Sequence, residues 1–140
     1  MSNPKGKNIL IVDDDKDLTD LFKVFLEAIG YKVDVFTDPI DALYYFKRNA
    51  YDLALLDLKM AKMNGIKLSK KLKKIDPTLS FGFITGADQK YIEYFKKNHP
   101  EIEKIILYKP IWLNELRSIV HSLLSNHQQS SDKKQVLMTL

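Results

Sequence analysis

Apolar residues recur along this chain in short blocks that alternate between two spacings. Runs of branched aliphatic residues, typical of strands buried on both faces, alternate with segments whose apolar residues fall three and four positions apart, typical of amphipathic helices. Strands are predicted at 8–13, 31–36, 53–57, 81–85 and 105–108, and helices at 16–29, 39–49, 66–75, 88–98 and 113–124. This alternation predicts an α/β fold with a doubly wound, five-stranded parallel sheet and five helices.

Composition is consistent with one folded domain. The chain has 140 residues, 45% of them hydrophobic, and no cysteine, so it forms no disulfides or thiolate metal sites and a reducing compartment is the simplest location. We divide it into an N-terminal leader (1–7), a folded domain (8–124) and a flexible, polar C-terminal tail (125–140). Because residues 1–8 lack a signal-peptide core and no apolar stretch matches a membrane span, we expect a cytoplasmic protein without membrane contact.

The net charge of +4 raises the question of nucleic-acid binding. Many lysines are concentrated in one predicted helix, at positions 67, 70, 71, 73 and 74, where they fit the solvated face of an amphipathic helix. No nucleic-acid-binding motif accompanies this charge, so we expect no nucleic-acid contact by this domain.

Asp13 and Asp14 follow directly on the first buried strand. Two carboxylates about 4 Å apart repel each other by roughly 4 kcal/mol at an effective dielectric constant near 20, so the pair calls for a cation. A divalent ion with oxygen ligands is the natural candidate. In the alternative interpretation, the aspartates are ordinary residues of a strand-to-helix turn in which Asp15 caps the next helix.

Other polar residues stand at the ends of later strands: Asp57 after the third, Thr85 after the fourth and Lys109 after the fifth. In open α/β sheets, ligands bind outside the carboxyl ends of the strands, so these groups are expected to share one edge with the acidic pair. An aspartate can attack phosphorus, and a divalent cation held by neighbouring carboxylates can neutralise the phosphoryl oxygens. The set therefore indicates phosphoryl chemistry on a carboxylate.

The motifs in their order resemble those of a response-regulator receiver domain, similar to the single-domain chemotaxis-type regulators of two-component signalling. The resemblance covers roughly residues 7–124 and rests on four segments: Ile9 to Asp15, Tyr51 to Gly65, Phe83 to Gly86, and Tyr108 to Pro110. It implies a flavodoxin-like fold with strand order 2-1-3-4-5.

The resemblance also implies a role for each residue of the set. Asp57 would accept a phosphoryl group from a sensor histidine kinase or a histidine phosphotransfer protein, while Thr85 would hydrogen-bond to that group and Lys109 would pair with it. Mg²⁺ would be held by Asp13, Asp14, Asp57 and the backbone carbonyl of Lys59. The Lys109-Pro110 peptide bond would be cis.

The same resemblance implies a signalling switch rather than an enzyme. Phosphorylation would bias the surface formed by the fourth helix, fifth strand and fifth helix toward an unknown downstream protein, or toward a second copy in a phosphorylation-dependent homodimer. No output module follows residue 124 in this sequence. We therefore expect a stand-alone receiver that acts by protein contact or as a phosphate relay, unless an output domain lies outside this sequence.

Three positions depart from the family pattern. Ala61 replaces a usual proline, Gly86 replaces a common alanine, and Ile106 occupies the position of the aromatic residue that often couples to the switch threonine. We expect Ile106 to pack in the core. The coupling between the threonine and an aromatic side chain at this position is then absent or altered. In the fourth helix, Ile92 and Phe95 are expected to be core residues, and Tyr91 and Tyr94 are candidates for partner contact.

Three other functions remain to be weighed. A scaffold that binds partners without phosphorylation is favoured by the three departures and opposed by the intact set of five polar residues. A small phosphohydrolase with an aspartyl nucleophile would need a second aspartate where Lys59 stands. A flavin-binding electron carrier would need a Ser/Thr/Gly-rich phosphate loop after the first strand, and the sequence has none there.

Overall fold

The computed structural model describes residues 6–100 and 106–125. Five parallel strands form one sheet, and five helices connect and follow them. The strands are β1 (Asn8–Val12), β2 (Lys32–Phe36), β3 (Leu53–Asp57), β4 (Ser80–Thr85) and β5 (Ile106–Tyr108). The helices are α1 (Lys16–Ile29), α2 (Pro39–Tyr45), α3 (Gly65–Ile75), α4 (Gln89–Asn98) and α5 (Leu113–Ser125).

The strand order is β2-β1-β3-β4-β5, which confirms the predicted flavodoxin-like fold. From β1 the chain passes first to β2 on one side and then returns to β3 on the other. The winding direction therefore reverses between β1 and β3, where a doubly wound sheet opens a crevice for a ligand.

Each face of the sheet packs against its own set of helices. Leu10, Leu56 and Phe83 belong to one core cluster, together with residues of α2, α3 and α4. Their neighbours Ile11 and Leu55 belong to a second cluster, together with residues of α1 and α5. Because successive strand residues point to opposite faces, the continuous aliphatic runs recognised in the sequence fill both cores.

The second helix is shorter than the pattern predicts. It ends at Tyr45 instead of near Asn49. Phe46 leaves the helix with an extended backbone (φ −66°, ψ 136°), is buried, and stacks on Tyr51 with 5.9 Å between the ring centroids. Burial of this ring therefore overrides the helical pattern of the residues that follow, and Asn49 adopts a left-handed conformation (φ 65°).

The first helix ends as predicted at Gly30. This residue has a φ of 125°, which favours glycine, and its N–H donates to the carbonyls of Leu26 and Glu27. The remaining elements agree with the predicted ones to within one or two residues, where described. The predicted tail lies outside the described residues except for Ser125, which ends α5, and most of the predicted leader also lies outside them. None of the helices in the described ranges has the length and apolar character of a membrane span.

Gly65 allows α3 to begin directly against the end of β3. Its N–H donates to the carbonyl of Leu58 at 2.9 Å. A Cβ atom at this position would lie 2.3 Å from the backbone oxygen of Asp57, far inside van der Waals contact. At Gly86, by comparison, a Cβ atom would meet only the flexible side chain of Lys109, at 3.3 Å or more.

We therefore predict that Gly65→Ala lowers the free energy of unfolding by about 1–3 kcal/mol, because backbone must shift to admit the methyl group. The matched variant Gly86→Ala should cost clearly less, because a side chain can give way. Urea denaturation of both variants measures the difference. Equal losses of stability would show that the close approach at Gly65 does not constrain the loop.

Candidate functional site

Three aspartates meet at the carboxyl edge of the sheet. Val12 pairs with Leu56 between the adjacent parallel strands β1 and β3, so the residues that follow, Asp13 and Asp57, lie side by side. Carboxylate oxygens of Asp13, Asp14 and Asp57 lie within 4.8 Å of one another. Asp13 and Asp57 are only 4% and 6% exposed, whereas Asp14 is exposed to solvent. These oxygens are suitable ligands for a hard divalent cation.

Lys109 provides a positive charge within the cluster. Its Nζ lies 2.7 Å from Oδ2 of Asp13 and 3.5 Å from Oδ2 of Asp57. The backbone fixes this residue against β4, because the Lys109 N–H donates to the carbonyl of Thr85 at 2.8 Å. The Lys109-Pro110 peptide bond is cis, as predicted. One ammonium group beside three carboxylates leaves a net charge of about −2 when all four groups are ionised.

Backbone donors orient the two buried carboxylates. The N–H of Asp15 donates to Oδ1 of Asp13 at 2.9 Å, and the N–H of Lys59 donates to Oδ1 of Asp57 at 3.3 Å. Asp15 itself caps α1, since its Oδ1 accepts from the N–H of Leu18. The alternative interpretation therefore holds for Asp15 but does not account for Asp13, which is buried beside Asp57.

Burial and charge shift the protonation equilibria of the cluster. Burial, reinforced by the negative charge of Asp13, raises the pKa of Asp57 to about 6. Burial alone would lower the pKa of Lys109, but the hydrogen bond and charge of Asp13, with the charge of Asp57, raise it above the usual lysine value. Lys109 therefore stays protonated, and ionisation of Asp57 is still costly unless a further cation is present.

The site opens into a cavity of about 350 Å³. Four of the residues singled out in the sequence line it, namely Asp14, Asp57, Lys59 and Lys109, and the walls also include Asp15, Gly86, Ala87 and Asp88. Sequence reasoning missed the last two as wall residues. Asp88 is recognisable as a helix cap, because its Oδ1 accepts from the N–H of Tyr91, but nothing in the pattern shows that this cap faces the acidic cluster.

Thr85 lies at the same edge but does not line the cavity. Its side chain is buried, and its Oγ1 accepts a hydrogen bond from the N–H of Ala87 at 3.0 Å. Thr85 is the last residue of β4, whose Ile84 pairs with Asp57 of β3. The hydroxyl therefore lies at the predicted edge of the sheet, where it is hydrogen-bonded to the loop that follows β4.

The structure also places Ile106 and the residues of β5 and α4 that the sequence singled out. Ile106 is buried in the core cluster that contains Phe83, which confirms that it packs. Tyr108 is 45% exposed, with Nζ of Lys96 at 5.4 Å from its ring centroid. In α4, Ile92 and Phe95 are buried as expected, Tyr94 is 63% exposed and Tyr91 is partly buried.

Comparison with known proteins identifies the family. The sequence-family model described as response regulator receiver domain matches residues 9–121. The chain therefore belongs to this family of two-component signalling domains. Among solved structures, a CheY-like receiver domain from Methanospirillum hungatei shares 28% identity with a TM-score of 0.76, covering 89% of this chain and 98% of that one. The non-phosphorylated HemR receiver domain from Leptospira biflexa shares 29% identity with a TM-score of 0.70, and the match covers 85% of this chain and 94% of that one.

Curated relatives include proteins of different length. The receiver protein CpdR of Brucella abortus is 36% identical over 80 residues, which are 57% of this chain and 67% of CpdR. The cyclic di-GMP phosphodiesterase response regulator RpfG of Xanthomonas campestris is 32% identical over 139 residues, which are 96% of this chain but only 36% of RpfG. Receiver domains are generally signalling modules rather than enzymes, and phosphorylation and signal transduction follow from the family.

We predict that Asp57→Asn stabilises the Mg²⁺-free protein at pH 8. The raised pKa means that ionising Asp57 costs more in the folded than in the unfolded state, so wild-type stability is retained at low pH and lost as pH rises through about 6. The variant should gain on the order of 1–3 kcal/mol at pH 8 and little at pH 4. Urea denaturation in EDTA across this range measures the effect.

Asp17→Asn, which removes an exposed carboxylate from α1, is the control and should show no comparable gain at pH 8. If Asp57→Asn instead loses stability at pH 8, favourable contacts stabilise the ionised carboxylate and the surplus of negative charge does not destabilise the fold.

Proposed function

We propose that this chain accepts a phosphoryl group on Asp57, in the presence of Mg²⁺, from a sensor histidine kinase or a histidine phosphotransfer protein. The observation that supports this most strongly is the buried Asp57 carboxylate between an acidic pair and Lys109, at the mouth of an open cavity. Receiver domains bind Mg²⁺ at their acidic pocket, and Asp13, Asp14, Asp57 and the carbonyl of Lys59 are the groups that would hold it here.

The transfer is a simple displacement at phosphorus. An oxygen lone pair of Asp57 forms the new P–O bond, the P–N bond to the donor histidine breaks, and the histidine nitrogen keeps that electron pair. Mg²⁺, when held by these carboxylates, would supply positive charge to the phosphoryl oxygens. Lys109 adds an ammonium group beside Asp57. The Thr85 hydroxyl, whose oxygen accepts from the N–H of Ala87, keeps its own proton and would move to donate it to the phosphoryl group.

The signal leaves through the surface formed by α4, β5 and α5. Three large aromatic side chains are exposed on or next to these elements: Tyr94 (63%), Tyr108 (45%) and Trp112 (74%). Exposed aromatic residues of this size commonly anchor protein interfaces. We infer that this surface contacts a downstream protein, or a second copy of the chain in a phosphorylation-dependent homodimer.

The donor class is supported by relatives that carry receiver segments within sensor proteins. The sensor protein EvgS of Escherichia coli is 31% identical over 120 residues, which are 86% of this chain and 10% of EvgS. We propose that this chain also receives its phosphoryl group from a sensor protein, and that the transfer takes place in the cytoplasm. This holds whether the receiver acts alone or together with further domains.

A second candidate function is a scaffold that does not need phosphorylation. Ile106 favours it, because this buried aliphatic side chain occupies the position of the aromatic residue that often couples to the switch threonine. The complete acidic cluster and its lysine oppose it.

We predict that the wild-type chain, incubated with Mg²⁺ and a small-molecule phosphodonor, gains the mass of one phosphoryl group, and that Asp57→Asn does not. EDTA should suppress the gain because the carboxylate repulsion then stays uncompensated. Intact mass spectrometry is the measurement, with a known receiver domain as positive control. Absence of any gain in wild type, while the control is labelled, would favour the scaffold.

A further inference from the structure

The outer face of α3 carries a stripe of exposed lysines. They occupy positions i, i+3, i+4 and i+7 of the helix, namely Lys67, Lys70, Lys71 and Lys74, and we call these four residues the lysine stripe. Their spacing places them on one ridge about 10 Å long, on the side of the helix away from the buried Leu68 and Leu72. α3 is therefore amphipathic, as the sequence indicates.

No acidic residue balances the lysine stripe. α3 contains neither aspartate nor glutamate, and within the described ranges none of the four lysines forms an ion pair. In α1, by contrast, each lysine pairs with an acidic residue four positions further along, Lys16 with Asp20 and Lys23 with Glu27. The charges on α3 are therefore available to a partner from outside.

The stripe opposes the stability of its own helix. Lys67 is four residues from Lys71, and Lys70 is four residues from Lys74, a spacing at which like charges repel each other on a helix. Lys67 also lies in the first turn, where the helix dipole favours an acidic side chain, and α3 has none there. A pattern that works against its helix calls for an explanation other than folding.

The surroundings of the stripe limit its extent. At the C-terminal end of α3, the N–H of Asn49 donates to the carboxylate of Asp76, which caps the helix, so the exposed Arg48 adds positive charge beside that end. Before the N-terminal end, Lys62 pairs with Asp38, the residue that caps α2, at 2.5 Å. The positive surface is therefore about as wide as one helix, with a carboxylate near one end.

We propose that the lysine stripe is a docking surface for an acidic helix of a protein partner, one that carries aspartate or glutamate at the same i, i+3, i+4 and i+7 spacing. Such a helix matches the stripe in length and width and pairs each lysine with a carboxylate. A DNA duplex or an anionic membrane presents negative charge over a wider area, which would also meet Asp38. The outward residues of α3 include no aromatic ring on which the bases of a single-stranded nucleic acid could stack.

The stripe is separate from the acceptor site. None of its residues lines the acceptor cavity, and α3 is not part of the surface formed by α4, β5 and α5. The inference therefore goes beyond the proposed function and does not depend on phosphorylation of Asp57.

The test is a double charge reversal in the full chain, Lys67→Glu with Lys70→Glu. The two new glutamates lie four residues before Lys71 and Lys74, so they form favourable pairs within α3, and the first of them also suits the start of a helix. The urea midpoint of this variant should therefore be at least as high as that of wild type. Weaker binding by the variant then reflects the lost charges and not a damaged fold.

The probe is a fluorescently labelled, alanine-based helical peptide with glutamates at i, i+3, i+4 and i+7, titrated at moderate ionic strength and followed by anisotropy. Wild type should bind it, and the double variant should bind at least about 10-fold more weakly, because two attractive pairs are replaced by two repulsive ones. A second peptide of the same composition, with its glutamates spread around the helix, should bind wild type more weakly than the patterned one.

Lys90→Glu with Lys97→Glu is the matched control. It reverses two exposed lysines of α4 and so changes the net charge of the chain by the same amount. This control should bind the patterned peptide as wild type does. A DNA duplex and vesicles of phosphatidylcholine and phosphatidylserine in equal parts are titrated in parallel.

Five results would overturn the inference. The first two are no binding of the patterned peptide by wild type, and equal binding of the two peptides. The third is equal weakening in the α4 control, which would show that only net charge matters. The fourth is tighter binding of the DNA or the vesicles than of the patterned peptide, which would assign the stripe to another class of partner. The fifth is a lower urea midpoint in the double variant.

Discussion

Electrostatic repulsion among Asp13, Asp14 and Asp57 is the constraint on which this site depends. Two of the three carboxylates are almost completely buried, and the ammonium of Lys109, which pairs with both of them, neutralises only part of the negative charge. Burial of ionised groups is expensive unless they are paired. A site of this kind is balanced only when more positive charge enters, and an added cation then lets Asp57 receive a group that is itself negative.

The fold produces this arrangement through its strand register. Parallel pairing of Val12 with Leu56 sets Asp13 beside Asp57, and the pairing of Asp57 with Ile84 brings the end of β4, with Thr85, to the same edge. The backbone contact between Lys109 and Thr85 then adds the lysine from the end of β5. Aliphatic cores on both faces hold the register, so residues far apart in the chain converge at one edge of the sheet.

Much of this could be predicted from the sequence, because strand periodicity and strand ends are local patterns. Asp13, Asp14, Asp57 and Lys109 stand where apolar runs stop, and the structure brings them together. The end of α2 and the contact of Lys59 with Tyr91 could not be predicted in this way. Both depend on where a side chain points after the chain has folded: Phe46 turns into the core, and Lys59 turns toward α4 instead of the carboxylates.

If surplus negative charge at Asp57 governs the site, the binding of Mg²⁺ is linked to the protonation of that carboxylate. Calorimetric titration with Mg²⁺ between pH 5 and pH 8 measures both the affinity and the protons released. With the pKa of Asp57 raised to about 6, we expect the affinity to fall below that pH and binding there to release a proton. An affinity that does not change with pH, with no proton release, would contradict it.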